Sequence, residues 1–221
     1  GPLATPELSV EQAFEEIINF AKISKNGADY AKSAINEADS DKFEELRKKL
    51  VKYEEISDRI EYEIATFLNK VSAEEISEST SVKIKAMYKI IGELESLGDS
   101  GETLSRILSR KNIHKKEFDS ESIKNLNAMA DAVNATYDVM IENLTAAHKG
   151  ELVEISNAYN AEDRLNTLRN NLRDSVIENI DSKGDNYQAS VYFIDIINTY
   201  EQMGDFMINV SQDLERAFVK K

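Results

Sequence analysis

This 221-residue sequence predicts an all-α fold of six long antiparallel helices, arranged as two tandem three-helix bundles. Three observations carry that expectation. No proline follows Pro6, so nothing along the rest of the chain removes a helical N–H or clashes with the preceding turn. Apolar residues recur every three or four positions, as in Ile84, Met87, Ile91 and Leu94, which places them on one helix face. One segment of the chain also recurs in its second half.

The elements follow in order. A first helix over 7–38 starts at Thr5-Pro6 or at Ser9 with Gln12, and Asn26-Gly27 inside it is a candidate break. A second over 41–70 follows a break at Ala38 to Ser40 and starts at Asp41 with Glu44. A third over 74–111 follows a break at Val71 to Ala73 and starts at Ser72 with Glu75. Asn112 to Ser120 separates it from a fourth over 119–148, which stops at Lys149-Gly150. A fifth spans 151–181, and after a break at Asp181 to Asn186 a sixth spans 186–219. Two units result, 4–114 and 115–221, and the opening Gly1-Pro2-Leu3 resembles the scar of a cleaved affinity tag.

Composition narrows the chemistry. With no cysteine there is no disulfide framework, thiolate metal site or cysteine nucleophile. A formal charge of −14 opposes phosphate backbones, which argues against nucleic acid and for cations or basic partners. No apolar run approaches the roughly 20 residues needed to span a bilayer.

The recurrence is specific. Setting "YKIIGELESLGDSGETLSRIL" on "IDIINTYEQMGDFMINVSQDL" pairs Glu95 with Glu201, Gly98 with Gly204 and Asp99 with Asp205, each 106 residues apart. Setting "YEEISDRIEYEI" on "NAEDRLNTLRNNL" pairs Glu54 with Glu162 and Asp58 with Asn166, each 108 apart. Residues four apart share a helix face, so Glu95 and Asp99 extend the stripe of Tyr88 and Ile91, and Glu201 and Asp205 extend that of Ile194 and Ile197. If the second and third helices of each unit are neighbours, Glu54 and Asp58 approach Glu95 and Asp99, and Glu162 and Asn166 approach Glu201 and Asp205.

Two like charges about 4 Å apart repel by about 4 kcal/mol at an effective dielectric near 20, so such a cluster calls for protons or a cation. Oxygen-only ligation suits Mg²⁺, Mn²⁺, Ca²⁺ or oxidised iron. Gly98 and Gly204 fit the same reading, because a residue without a side chain lets two helices approach closely. The competing account is a solvated helix face: with 41 acids, chance alone supplies several acidic pairs at this spacing. Recurrence beside glycine, in matching apolar context, favours ligation.

These motifs resemble those of the PhoU family, whose members are two three-helix bundles bearing acidic motifs, often "ERIGD" in the third helix. "ESLGD" at 95–99 and "EQMGD" at 201–205 resemble the third-helix motifs, "EEISD" at 54–58 contains one second-helix motif, and "EDRLN" at 162–166 resembles the other. The resemblance covers essentially residues 8–219 and implies a regulator of phosphate uptake that binds metal through these acids. The segments "ATPELSVEQAFEEI" and "KYEEISDRIEYEI" resemble most the PhoU-like domain at the cytoplasmic end of a sodium-dependent phosphate symporter. That resemblance implies a cytoplasmic location at the inner face of the plasma membrane. It also implies a transporter membrane domain, upstream in the same chain, as partner. A homodimer, a stand-alone PhoU-type regulator and a structural helical adapter without metal are the alternatives. Asn166 replaces an acid, and Ser96 and Gln202 replace the usual arginine, so weaker binding is expected in the second copy.

No enzyme is expected. Neither His114 nor His148 follows a glutamate by three residues, as a di-iron carboxylate site requires, and both sit where helix C-termini favour positive charge. The basic cluster Arg110, Lys111, His114, Lys115 and Lys116 reads as a solvated linker between the halves. Tyr53, Tyr62, Tyr159 and Tyr200, near the acidic motifs, read as packing residues.

Overall fold

The computed structural model describes residues 5–180 and 186–218. The Gly1-Pro2-Leu3 reading, all but the last residue of the break expected at Asp181 to Asn186, and the expected last residues of the fifth and sixth helices lie outside them. Six helices follow in order: α1 Pro6–Asn36, α2 Ser40–Ser72, α3 Glu78–Ile113, α4 Ser120–His148, α5 Ser156–Glu178 and α6 Asn186–Ala217. The fold is all-α, as expected.

Local chemistry fixes most of the ends. Thr5 accepts a hydrogen bond from the Leu8 amide ahead of Pro6, so the first expected start is correct and Ser9 lies inside the helix. Asp39, rather than Asp41, caps α2 by accepting from the Lys42 amide at 2.9 Å. Ser72 belongs to the last turn of α2, where its hydroxyl donates to the Leu68 carbonyl. The α3 cap is Ser77, which accepts from the Thr80 amide at 3.1 Å and moves the start four residues beyond the expected 74. Asp119 caps α4. Each such cap is worth about 1 kcal/mol.

Two helix ends close with paired bonds from the next two amides. After α3, Lys115 bonds back to Asn112 and Lys116 to Lys111; after α4, Gly150 bonds to Ala147 and Glu151 to Ala146. Both motifs need a left-handed residue, supplied by Lys115 at φ 54° and Gly150 at φ 72°. The fifth helix therefore starts later than 151. Residues 151–154 leave the turn without helical structure, and Val153 and Ile155 enter the core. The candidate break at Asn26-Gly27 does not occur. Gly27 is buried, and the Tyr53 ring sits 3.5 Å from where its Cβ would be, so packing outweighs the roughly 1 kcal/mol propensity cost.

The helices form an inner set of four and an outer pair. α1, α3, α4 and α6 are inner: α1 packs on α4 and α3 on α6, joining the halves. Among the described residues, α2 packs only on α1 and α3, and α5 only on α4 and α6. Their outer position explains their polarity, since α5 buries only Ala158, Ala161 and Leu165.

Across the α1–α4 contact, Lys25 meets Asp138, Asn134 donates to Asp29, Lys32 meets Asp131, and Asn36 exchanges amide bonds with Asn127. Residue numbers rise on one helix as they fall on the other by equal steps, so the pair is antiparallel. These exposed contacts are worth at most about 1 kcal/mol each. Buried apolar side chains, at roughly 1.5–3 kcal/mol each, contribute more to the fold, and the polar row chiefly sets register. The Tyr137 hydroxyl shares a 2.7 Å hydrogen bond with Ser24 in the middle of that contact.

The two motif glycines mark where outer helix meets inner helix. A Cβ on Gly98 would lie 2.1 Å from Ser57 Oγ and 2.6 Å from Ser57 Cβ; one on Gly204 would lie 2.5 Å from Leu165 Cδ2 but 3.7 Å from its Cγ. Ser57 Cβ is fixed to the backbone, whereas the leucine tip can rotate away. Gly98→Ala is therefore expected to destabilise the protein by about 1–3 kcal/mol, with Gly204→Ala costing clearly less. Urea denaturation of both variants checks this, and Ser57→Gly is expected to recover most of the Gly98→Ala loss.

Candidate metal centre

The Gly98–Ser57 contact brings the α2 and α3 backbones together and forces the carboxylates flanking it into one seam. Asp58, Glu95 and Asp99 each present an oxygen there, and these three atoms lie within 4.8 Å of one another. Among the described residues this is the one group of three or more acidic or histidine side chains so placed. Opposite ligands of a Ca²⁺ ion at 2.3–2.6 Å stand about 4.6–5.2 Å apart, and those of Mg²⁺ stand closer, so the span suits one hard cation.

Electrostatics in the seam are those of crowded acids. Burial is the largest influence on Glu95, followed by hydrogen bonds shared with Asp99 and Asp58 and the charges of Asp99 and Glu61; together they push its pKa up to about 9. Asp99 is raised by burial, then by the charges of Asp58 and Glu102, with the Glu95 hydrogen bond opposing. One Asp99 oxygen, Oδ1, is buried without an N–H or hydroxyl partner. Other carboxylates are what approach Asp99, and they can bond to it only while a proton stays between them. An oxygen left in that condition fits a cation.

Two glutamates outside the expected five-residue motifs join this seam, together with one motif residue that is not an acid. Glu61 lies one turn beyond Asp58, and its carboxyl is raised by burial and then by Asp58 and Asp99. Glu102 faces Asp99 from one turn along α3, held by Arg47 at 3.7 Å and Arg106 at 2.9 Å. Ser57 is the contact beneath Gly98. Spacing of three from Asp58 and from Asp99 was the signal for the two glutamates. Glu54 stands at the edge, raised by burial and then by the charges of Asp99, Glu102 and Asp58, with Arg106 opposing.

The α5–α6 seam holds the matching residues in a looser set. Glu162 shares hydrogen bonds with Asp205 and Asn166, and burial followed by the Asp205 charge raises its pKa. Glu201 is raised by burial and by Asp205, while the charge of Arg169 pulls it down. Glu162, Glu201 and Asp205 do not offer three oxygens within the distance met in the first seam. Arg169, unanticipated from the motifs, donates from Nη1 to Asn198 at 3.3 Å. The donor set of the first seam fits a hard metal ion; the carboxylates of the second are not gathered to the same distance.

The remaining candidates are engaged elsewhere. His114 bonds the Tyr192 hydroxyl at 2.7 Å, and His148 stacks on Phe14 with Glu15 at 3.6 Å. Tyr53 packs against Tyr30, Tyr159 accepts from Gln212, Tyr200 is buried and Tyr62 is exposed. In the basic linker, Lys111 lies over the Phe118 ring and donates to the Lys116 carbonyl.

No protein-family model matches the chain, and no curated protein matches its sequence. Among solved structures it is similar to PhoU from Pseudomonas aeruginosa, with a TM-score of 0.83 and 12% identity over 96% of this chain and 97% of that one. It is also similar to the phosphate transport system regulatory protein PhoU from Streptococcus pneumoniae, with a TM-score of 0.78 and 13% identity over 98% of this chain and 100% of that one. At these identities the likeness establishes a shared fold, the two-repeat helical bundle. Among the described residues, no helix is long and apolar enough to cross a membrane.

The raised Glu95 pKa has a consequence for stability. Between the ordinary value of 4.5 and about 9 the folded chain holds a proton that the unfolded chain has released. Stability of the metal-free protein therefore falls as pH rises through that interval. In EDTA, the urea midpoint at pH 6 is expected to exceed that at pH 9. The difference should shrink in Glu95→Gln, and a midpoint that climbs with pH would contradict the account.

Proposed function

We propose that the chain is a metal-binding, PhoU-like regulatory module of phosphate uptake, carried at the cytoplasmic face of the membrane as the soluble tail of a sodium/phosphate symporter. The observation that carries the reading is the convergence of Asp58, Glu95 and Asp99 at a glycine-enabled helix contact, within a fold shared with two PhoU proteins. Asp58 from the outer helix and Glu95 and Asp99 from the inner helix would hold a Mg²⁺, Mn²⁺, Ca²⁺ or ferric ion. Such an ion supplies positive charge where the chain provides only carboxylates. With the acids satisfied, α2 is tied to α3, and the surface presented to the transporter's membrane domain stiffens. The role is regulatory rather than catalytic, in keeping with both histidines being engaged away from the seam. The PhoU chains match along 97% and 100% of their own lengths, which also fits a stand-alone regulator. Membrane-spanning segments encoded upstream of Ala4 would decide for the symporter tail.

Binding to the folded state alone adds about 2.7 kcal/mol at a hundredfold excess over Kd. For a chain of this size that is a Tm rise of several degrees. Melting with Mn²⁺ or Mg²⁺ is expected to exceed melting in EDTA by that amount. Asp99→Asn should raise the Tm in EDTA, by removing repulsion, and abolish the response to metal. Curves that coincide with and without metal would remove the metal role. In cells, full-length transporter carrying Glu95→Gln with Asp99→Asn is expected to take up phosphate at an altered rate, and an unaltered rate would remove the regulatory role.

A further inference from the structure

The two seams differ most at a position that neither acidic motif contains. Their registers can be matched independently of the acids, because Gly98 stands over Ser57 and Gly204 over Leu165. The glycines are 106 residues apart and their partners 108, the offsets that relate the acids. Under those offsets Glu61 corresponds to Arg169, Gly92 to Asn198 and Asp58 to Asn166. The contacts agree: Glu61 Oε2 lies 3.9 Å from where a Cβ on Gly92 would stand, and Arg169 Nη1 lies 3.3 Å from Asn198 Oδ1. At equivalent places one bundle carries a carboxylate and the other a guanidinium.

We propose that Arg169 is a built-in counter-ion, so that the chain loads metal in the α2–α3 seam alone while the α5–α6 seam is partly neutralised by its own side chain. The proposal rests on the reading of the first seam as a metal site. Five carboxylates, Glu54, Asp58, Glu61, Glu95 and Asp99, crowd that seam, in addition to Glu102, which Arg47 and Arg106 already engage. The second seam holds three, Glu162, Glu201 and Asp205, with a neutral amide at Asn166 and a fixed positive charge at Arg169. Arginine does not deprotonate in proteins, so this charge cannot be withdrawn to make room for an ion. Arg169 Nε is buried with no hydrogen-bond partner, a position for a charge that acidic surroundings make tolerable. Asn166 Oδ1 is likewise buried and unpaired.

The test is a transplant of metal uptake from one seam to the other. On a background of Glu95→Gln with Asp99→Asn, which silences the first seam, Arg169→Glu and Asn166→Asp are introduced. Bound Mn²⁺ is then measured by elemental analysis after gel filtration, with folding followed by circular dichroism. The unmodified chain is expected to retain Mn²⁺, the silenced background to fall to the buffer level, and the added pair to return uptake to a stoichiometric ion. Should Arg169→Glu fail to fold, Arg169→Gln with Asn166→Asp is read in its place, with the same gain expected. Mn²⁺ retained by the silenced background would overturn the proposal, as would folded Arg169 variants that gain none. An unmodified chain that takes up no Mn²⁺ overturns the reading of the first seam, and this proposal with it.

Discussion

At Gly98 the α3 backbone meets the Ser57 side chain with no room for even a methyl group. That contact places Asp58 beside Glu95 and Asp99, and everything distinctive about the first bundle follows from the crowding. Three acids at such separations cannot all be ionised and unaccompanied. The chain resolves this in two ways on its own: it keeps Glu95 protonated well above the ordinary range, and it draws Arg47 and Arg106 onto Glu102 at the margin. An exchangeable cation is a third way, and the orphaned oxygen of Asp99 is where it is most needed.

Location matters as much as composition. The seam lies between an outer helix that touches only two neighbours and an inner helix that also carries the contact with the other half. Charge neutralisation there acts on the least constrained element of the bundle. The effect can pass inward through α3, whose far face meets α6 at Glu93 and Asn209. The α1–α4 row of paired polar groups and the buried Tyr137–Ser24 bond keep the two halves in a single register while an outer helix adjusts.

Duplication of the unit has not preserved its electrostatics. Both copies keep a glycine at the helix crossing, yet its partner is serine in one and leucine in the other, and the residue one turn further out is acid in one and arginine in the other. A leucine tip can yield where a serine Cβ cannot, so the two seams differ in stiffness as well as charge. A twofold arrangement of backbone therefore carries two chemically different centres.

Sequence alone determined the all-α class, the six helices and the repeat, because helical periodicity and the lack of proline are local properties. It placed α4 within one residue, since Asp119 and Gly150 act on their own neighbours. It misplaced the starts of α3 and α5, where Ser77 competed with Ser72 and where Val153 and Ile155 were drawn into a core formed by distant helices. Only the tertiary structure decided which acids share a space. Spacing along a helix tells which face a carboxylate occupies, but not how near the opposing backbone comes nor which charge that backbone brings. Ser57, Glu61 and Arg169 settle those two questions, and each does so through a partner on another helix about thirty to forty residues away.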